Sequence, residues 1–120
     1  MPTYTEGTRT GEHILSEASG ARSRENGVLA AGNLPAGAVL ALAASGDYVP
    51  LDPAAVDGTE VAKAVLYQAA DASEIPQPIT VHVRACEVHG ELLGWPEGAE
   101  AAAIEKASND LVSRGVIIRD

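Results

Sequence analysis

The stretch Ile79-Thr80-Val81-His82-Val83-Arg84-Ala85-Cys86 indicates the fold class of this 120-residue chain. Apolar and polar residues alternate along it, so that one face carries Ile79, Val81, Val83 and Ala85, and the other carries Thr80, His82, Arg84 and Cys86. A period of two residues is typical of a β-strand with one face on a core. We therefore predict a single strand over residues 79–86.

Short apolar runs separated by glycine and proline indicate further strands. They are residues 28–30, 38–43, 48–51, 61–67 and 116–118, with a loop at 32–37 and a turn-rich segment at 52–58. Pro50 lacks the N–H that a central strand requires, which predicts that its strand lies at a sheet edge. The Asp57-Gly58 pair is a favoured hairpin dipeptide.

One helix is indicated near the C-terminus. Pro96 suits its first position, Glu97 and Glu100 its first turn, Arg114 its last turn and Gly115 the position after its end. Three- and four-residue spacing gives it an apolar stripe of Ala103, Ile104, Ala107, Leu111 and Val112. Together with about six short strands, this helix predicts a mostly β domain with a small helical cover.

The composition predicts a core of small side chains. The chain of 12.3 kDa is 46% hydrophobic, yet it contains no phenylalanine, one tryptophan and three tyrosines. Small side chains bury less apolar area, so we expect a monomer of modest stability that association would help. Trp95, directly before the predicted helix, is a candidate for the core or for a subunit interface.

The charge excludes several classes of partner. Seventeen acidic residues against eight basic ones give a net charge of −9, which argues against binding to nucleic acid. The longest apolar run, residues 38–44, is far below the ~20 residues that span a membrane, and no basic amphipathic stretch suggests a membrane surface. The polar N-terminus predicts no secretory signal, and the single Cys86 excludes an internal disulfide.

Residues 1–26 differ from the rest of the chain. They are mostly polar, with Ile14 and Leu15 as the only adjacent apolar pair, and carry a net charge of −1 against −8 for residues 27–120. A segment that buries little apolar surface cannot offset its ordering entropy. We therefore expect a flexible N-terminal arm over residues 1–26, with a frayed terminus or linker as the alternative, and a β-rich domain over 27–120.

His82, Cys86 and His89 are the one candidate set for metal or nucleophilic chemistry. On a straight strand His82 and Cys86 share a face and His89 lies opposite, with no evident fourth ligand, so ordinary strand residues are favoured over a zinc site. The sequence has no phosphate-binding loop, dinucleotide fingerprint or calcium loop. We predict no enzyme activity and no cofactor. A small metal-dependent enzyme or binder that uses these three residues is the alternative.

Three groups of residues follow one another along the chain in a specific order. They are Thr5-Glu6-Gly7-Thr8-Arg9-Thr10-Gly11-Glu12-His13-Ile14-Leu15-Ser16-Glu17-Ala18 with Ser23-Arg24-Glu25-Asn26, then Gly46-Asp47-Tyr48-Val49-Pro50-Leu51-Asp52-Pro53-Ala54-Ala55 with Asp57-Gly58, then Trp95-Pro96-Glu97. Together they resemble the head decoration proteins of tailed phages, the family of the lambda decoration protein D. The resemblance covers essentially the whole chain.

The resemblance implies a structural protein with a compact β-clip-like fold. Such proteins are homotrimers that bind the phage major capsid protein on the outer surface of the expanded head, at local three-fold positions, and stabilise it against internal DNA pressure. It also implies synthesis in the host bacterial cytoplasm, no small-molecule substrate, and an arm that becomes ordered on the capsid. The candidate contacts in this arm are Thr3, Tyr4, Thr5, Arg9, His13 and Ile14. A generic β-rich adaptor is the remaining alternative.

Overall fold

The computed structural model describes residues 9–20, 22–96 and 98–119. Within these ranges the strands are β1 (Ile14–Glu17), β2 (Arg24–Leu29), β3 (Asn33–Leu34), β4 (Val39–Leu42), β5 (Tyr48–Pro50), β6 (Ala64–Leu66), β7 (Ala70–Asp71), β8 (Gln77–His82), β9 (Cys86–His89) and β10 (Val116–Arg119). A short 3-10 helix spans Gly90–Leu92, and the α-helix α1 spans Ala101–Ser113. Among the described residues 38 lie in strands and 16 in helices, which confirms the predicted mostly β class with one C-terminal helix.

Five of the strands close into a barrel in the order β2-β5-β4-β6-β8. Their pairings are antiparallel except for that of β2 with β5, which are parallel. A hydrophobic cluster fills the barrel, and its most buried members include Leu29, Leu40, Leu66 and Val81, each 0% exposed. Closure pairs the first strand of the order with the last, which satisfies backbone groups that an open sheet would leave at its edges.

A second hydrophobic cluster, called here the interlayer cluster, joins the barrel to a separate layer. That layer consists of α1 and a sheet of order β1-β9-β10. The cluster combines barrel residues with residues of the separate layer: Val39, Ala41 and Val65 from the barrel, and Cys86, Val88, Ala107, Leu111 and Val116 from the layer. Strands β4 and β6 are therefore buried on both faces, which explains why their sequences are continuous apolar runs.

The predicted single strand over residues 79–86 is wrong. Its first half belongs to β8 of the barrel, whereas Cys86 begins β9 of the separate sheet. The chain bends between them at Ala85, whose φ is 53°. Ser23 holds this bend, because its Oγ donates to the Ala85 carbonyl over 2.8 Å and its own carbonyl accepts from the Val83 N–H over 3.0 Å. His82 and Cys86 therefore do not share the face that the alternation predicts.

The predicted start of the helix is also wrong. The helix begins at Ala101, not at Pro96. A turn follows Pro96 instead, because the Ala99 N–H donates to the Pro96 carbonyl over 3.1 Å and Gly98 has a φ of 75°. Glu97, predicted for the first helical turn, lies outside the described residues.

The position predicted for Gly115, just after the helix, is confirmed. The helix ends at Ser113, and Arg114, predicted for its last turn, is instead the residue that caps it. Gly115 follows with a φ of 92°, a left-handed conformation that glycine adopts without strain. Ala107 and Leu111 are buried as the apolar stripe predicts. Val112 was assigned to the same stripe but is 47% exposed, so the buried face of the helix is narrower than its sequence indicates.

The segment around residues 48–58 differs from prediction in two respects. Strand β5 was predicted to lie at a sheet edge, but it pairs with both β2 and β4. Its pairing with β2 involves Tyr48 only, so the missing N–H of Pro50 interrupts no ladder on that side. Asp57 and Gly58 do form a turn, in which Oδ1 of Asp57 accepts from the Thr59 N–H over 3.1 Å. The strands on either side of it, β5 and β6, pair with β4 and not with each other, so there is no hairpin at this turn.

Candidate functional site

The described part of the N-terminal segment is folded against the domain. Strand β1 pairs antiparallel with β9 at one edge of the separate sheet, and β2 begins at Arg24 within the barrel. The boundary predicted at residue 26 therefore falls inside β2. Strands that come much later in the chain supply the ladder partners for this polar sequence, which its own composition cannot reveal.

Strand β1 contains a bulge. Ile14 pairs with Val88 and Ser16 pairs with Glu87, so the register shifts between Ile14 and Ser16. The side chain of Ile14 packs against the interlayer cluster, while that of Leu15 is 51% exposed. Bulges of this kind redirect side chains and blunt the edge of a sheet. The segment thus presents one apolar side chain inwards and the next outwards.

His13 and Gly11 hold the chain in front of β1. The His13 side chain is 0% exposed, and its backbone carbonyl accepts from the His89 N–H over 2.7 Å. The Gly11 N–H donates to the Tyr67 carbonyl over 3.0 Å. Gly11 has a φ of 68°, and a Cβ there would lie 3.0 Å from the Tyr67 ring, so this close approach requires glycine.

Glu17 links β1 to two strands of the barrel. Arg24 of β2 donates to both carboxylate oxygens, from Nε to Oε2 over 3.1 Å and from Nη2 to Oε1 over 2.6 Å. Nε2 of His82 on β8 also lies 2.6 Å from Oε2 of Glu17, and the His82 side chain is 0% exposed. A carboxylate that accepts a bidentate guanidinium makes among the strongest hydrogen bonds in proteins. These bonds attach β1 to the wall of the barrel.

Tyr67 completes the arrangement. The guanidinium carbon of Arg24 lies 4.4 Å from the centre of the Tyr67 ring, within cation–π range. The rings of Tyr67 and His82 meet edge to face with centroids 5.4 Å apart, and those of His13 and His82 with centroids 6.3 Å apart at 87°. We call His13, Glu17, Arg24, Tyr67 and His82 the histidine cluster.

The surroundings set the ionisation of this cluster. Hydrogen bonds from Arg24, and then from His82, lower the pKa of Glu17 to about 2. Burial, and then the charge of His82, lowers the pKa of His13 to about 4, against a smaller opposing effect of Glu12. Burial also lowers the pKa of His82, although its bond to Glu17 acts in the opposite direction. At pH 7 both imidazoles are therefore neutral, and His82 donates its Nε2 proton to an ionised Glu17.

The fold separates His82, Cys86 and His89. His82 lies in the histidine cluster, Cys86 faces the interlayer cluster, and His89 ends β9, where its Nδ1 accepts from the Glu91 N–H over 3.3 Å. Burial raises the pKa of the Cys86 thiol to about 11, which makes it a poor nucleophile at neutral pH. Among residues 9–20, 22–96 and 98–119, no group of three or more His, Cys, Asp or Glu side chains could hold a metal ion. No helix in the same ranges is long and apolar enough to cross a membrane.

The candidate arm contacts occupy different environments. Three of them lie outside the described residues: Thr3, Tyr4 and Thr5. Arg9 is exposed, and its backbone N–H donates to the Glu12 carboxylate over 2.9 Å. His13 and Ile14 face the domain, so in this conformation they stabilise the attachment of the segment.

Three members of the histidine cluster were not singled out from the sequence: Glu17, Arg24 and Tyr67. Glu17 and Arg24 have opposite charges and lie seven positions apart, which is the one local signal. His82 is 65 positions from Glu17, and no spacing rule connects them. Only the closure of the barrel and the pairing of β1 bring these side chains together.

Trp95 is half-buried and packs against the interlayer cluster. The residue before it, Gly94, forms a bridge with Ala38, and the Gly94 N–H donates to the Gly37 carbonyl over 2.8 Å. A Cβ on Gly94 would lie 3.2 Å from the Ala38 Cα, so the backbones approach closely beside the ring. This position agrees with a role in the core, and a subunit interface at Trp95 stays a prediction.

The comparison with known families covers both layers of this fold. The model of the family described as bacteriophage lambda head decoration protein D matches residues 3–116, which include the histidine cluster, the barrel, α1 and the start of β10. Among curated proteins, none matches the chain significantly. The match confirms the resemblance noted from the sequence. This chain belongs to the bacteriophage lambda head decoration protein D family, whose role in the phage head is structural.

Proposed function

We propose that this chain is a homotrimeric cementing protein of a phage head. In this proposal it binds the major capsid protein on the outer surface of the expanded shell, at local three-fold positions, and stabilises the shell against the pressure of packaged DNA. The observation that carries the proposal is the family match over residues 3–116. The protein would be made in the host bacterial cytoplasm and would reside on the virion.

The proposed capsid contact is the part of the chain that precedes β1. It includes five of the six candidate residues, of which His13 is buried against the domain: Thr3, Tyr4, Thr5, Arg9 and His13. Strand β1, which follows this part of the chain, is the terminal strand in the order β1-β9-β10. An extended polar segment can add a strand to an exposed sheet edge of another protein, with main-chain hydrogen bonds supplying affinity.

Trimer formation would convert weak contacts into firm attachment. Ordering a segment on binding offsets about 2–5 kcal/mol of its interaction energy, so a single segment would bind weakly. Three segments on one particle raise the effective concentration of the second and third contacts, provided that the sites lie at the correct spacing. This requirement for spacing supports a preference for the expanded shell.

The charge of the domain suits an exterior location. Residues 27–120 carry 13 acidic and 5 basic side chains, a net charge of −8. Such a surface has no attraction for the DNA inside the shell. Most of the net charge of −9 thus belongs to the domain and little to the segment that would approach the capsid.

Co-sedimentation with purified expanded capsids that lack decoration protein tests this function. We expect the wild-type chain to be a trimer by light scattering and to sediment with the capsids. A variant without residues 2–8 keeps β1 and the histidine cluster, so it should remain a trimer and lose capsid binding. Val56→Ser, at an exposed loop position, is the control and should bind like the wild type.

Each part of the proposal fails on a different result. A monomeric wild-type chain at micromolar concentration would contradict the trimer. Full binding by the variant without residues 2–8 would contradict the assigned contact segment. A trimeric wild-type chain that does not sediment with any expanded capsid of its own phage would contradict capsid decoration.

A further inference from the structure

We infer that residues 11–17 form a latch that is closed over the domain at neutral pH and opens on acidification, before the rest of the domain unfolds. Closing the latch buries the imidazole of His13 completely against the barrel. The inference concerns the free protein and does not depend on capsid binding.

The backbone ladder of the latch has a partner strand on one side only. Strand β1 has a neighbour in β9 only, and its bulge between Ile14 and Ser16 interrupts that pairing. The chain after the latch passes through Gly20, whose φ is 72° and which has no atom within 4 Å of a Cβ position. An edge strand with an interrupted ladder and a glycine turn behind it can separate without disturbing the barrel pairings.

Proton sensitivity arises from the two buried imidazoles. Three buried ring nitrogens have no hydrogen-bond partner among the described residues: Nδ1 and Nε2 of His13, and Nδ1 of His82. The remaining nitrogen of His82 is bonded to Glu17. A proton added to His13 would create a buried cation without a hydrogen-bond acceptor among these residues, which is costly in a protein interior.

The charged groups around His13 do not compensate for this burial. On the barrel side, His13 faces His82, and Glu17 and Arg24 lie beyond it. The Glu17 carboxylate already accepts hydrogen bonds from His82 and Arg24. Glu12, its neighbour in sequence, favours the protonated ring but is exposed. Two further side chains lie nearby: Tyr67, whose ring packs against the Arg24 guanidinium, and Cys86, whose pKa is raised by burial and whose strand is paired with β1.

The direction of the effect follows from the difference between the closed and open states. The pKa of His13 is about 4 when the latch is closed, whereas a solvated histidine has its ordinary value of 6.5. The open state therefore binds more protons between these values, and acid favours it. From these two values the ratio of open to closed latch rises about twentyfold between pH 7 and pH 5.

The His89 N–H supplies a reporter within the chain. It donates to the His13 carbonyl over 2.7 Å in the closed latch, so this bond is broken when residues 11–17 separate from the domain. We would measure hydrogen–deuterium exchange of the amide at position 89 by nuclear magnetic resonance. Dividing the rate by that of the urea-unfolded chain at the same pH gives the accessible fraction. Far-UV circular dichroism at each pH reports whether the barrel is still folded.

The variants separate His13 from other effects of acid. In the wild type the normalised rate should rise about twentyfold from pH 7 to pH 5, with an unchanged circular dichroism spectrum. His13→Leu should reduce the rise to less than about fivefold, and His13→Gln serves the same purpose if the leucine variant does not fold. His89→Leu removes a histidine at the rim of the same sheet and should keep the full rise.

Three results would overturn the latch. The first is a wild-type rise below about threefold, since protonation of one such histidine predicts far more. The second is an undiminished rise in both His13 variants. The third is a loss of the circular dichroism signal that parallels the rise in amide exchange, since this would show global unfolding in place of local opening.

Discussion

Nε2 of His82 lies 2.6 Å from Oε2 of Glu17, although the two residues are 65 positions apart in the chain. Because Arg24 donates to both oxygens of the same carboxylate, Glu17 receives hydrogen bonds from two barrel strands at once. The carboxylate is thereby the main polar connection between β1 and the barrel. The segment that leads to the proposed capsid contact is anchored at this point.

Replacement of Glu17 should weaken the fold measurably. Glu17→Gln removes the charge that Arg24 and His82 bind, and we expect the free energy of unfolding to fall by about 1–3 kcal/mol. Urea-induced unfolding at pH 7 measures this change. Glu87→Gln is the control, because the Glu87 carboxylate accepts from Ser16 and Arg119 on the outer face of the same sheet and makes no bond to the barrel strands among those described, and its midpoint should change little. Equal losses in the two variants would contradict the assigned role of Glu17.

The free energy of unfolding should fall on acidification in two pH intervals. The pKa of His13 is about 4 in the folded protein and 6.5 in the unfolded chain. The unfolded state therefore binds more protons as the pH falls from 6.5 towards 4, and the free energy of unfolding decreases by about 3 kcal/mol over this interval. The folded pKa of Glu17 is about 2 against 4.5, which adds a second loss below pH 4.5. Urea unfolding at a series of pH values tests both intervals. His13→Leu should reduce the pH dependence of the free energy of unfolding in the first interval, and Glu17→Gln in the second. A constant free energy of unfolding between pH 7 and pH 4 would contradict the role assigned to His13.

Two glycines with the same backbone conformation should respond differently to alanine. Gly37 has a φ of 91° and Gly46 a φ of 92°, but a Cβ at Gly37 would lie 2.6 Å from the Leu92 carbonyl oxygen, whereas Gly46 has nothing within 4 Å. Gly46→Ala should cost about 1 kcal/mol of backbone strain. Gly37→Ala should cost at least about 2 kcal/mol more, because backbone must move. Similar urea midpoints for the two variants would show that residues 37 and 92 are not in close contact.

Alanine substitutions at two adjacent positions of α1, Leu111 and Val112, should have clearly different effects on stability. Leu111 is 0% exposed in the interlayer cluster, and Leu111→Ala should lower the free energy of unfolding by about 2–5 kcal/mol. Val112 is 47% exposed, and Val112→Ala should change it by less than about 0.5 kcal/mol. Thermal or urea unfolding distinguishes the two. A larger loss at Val112 than at Leu111 would mean that the helix is rotated from the orientation described here.

The sequence was informative where a feature depends on residues close together in the chain. The left-handed conformation of Gly115 and the burial of Ala107 and Leu111 follow from helix geometry, and both were anticipated. The same local rules failed at Pro96, because the turn that includes Gly98 delays the helix. They also failed in the middle of residues 79–86, where the bend depends on Ser23.

Local pattern alone therefore determined the mostly β class, the presence of one C-terminal helix and the family resemblance, because hydrophobic period, turn residues and ordered motifs are written in neighbouring positions. Tertiary structure decided how residues 9–26 lie against the domain and which side chains surround His82. These depend on barrel closure, which pairs residues 48 to 58 positions apart, and on the pairing of β1 with β9, which joins residues 69 to 74 positions apart. The polar residues 9–20 and 22–26 lie against the domain because distant strands supply their hydrogen bonds and cover His13.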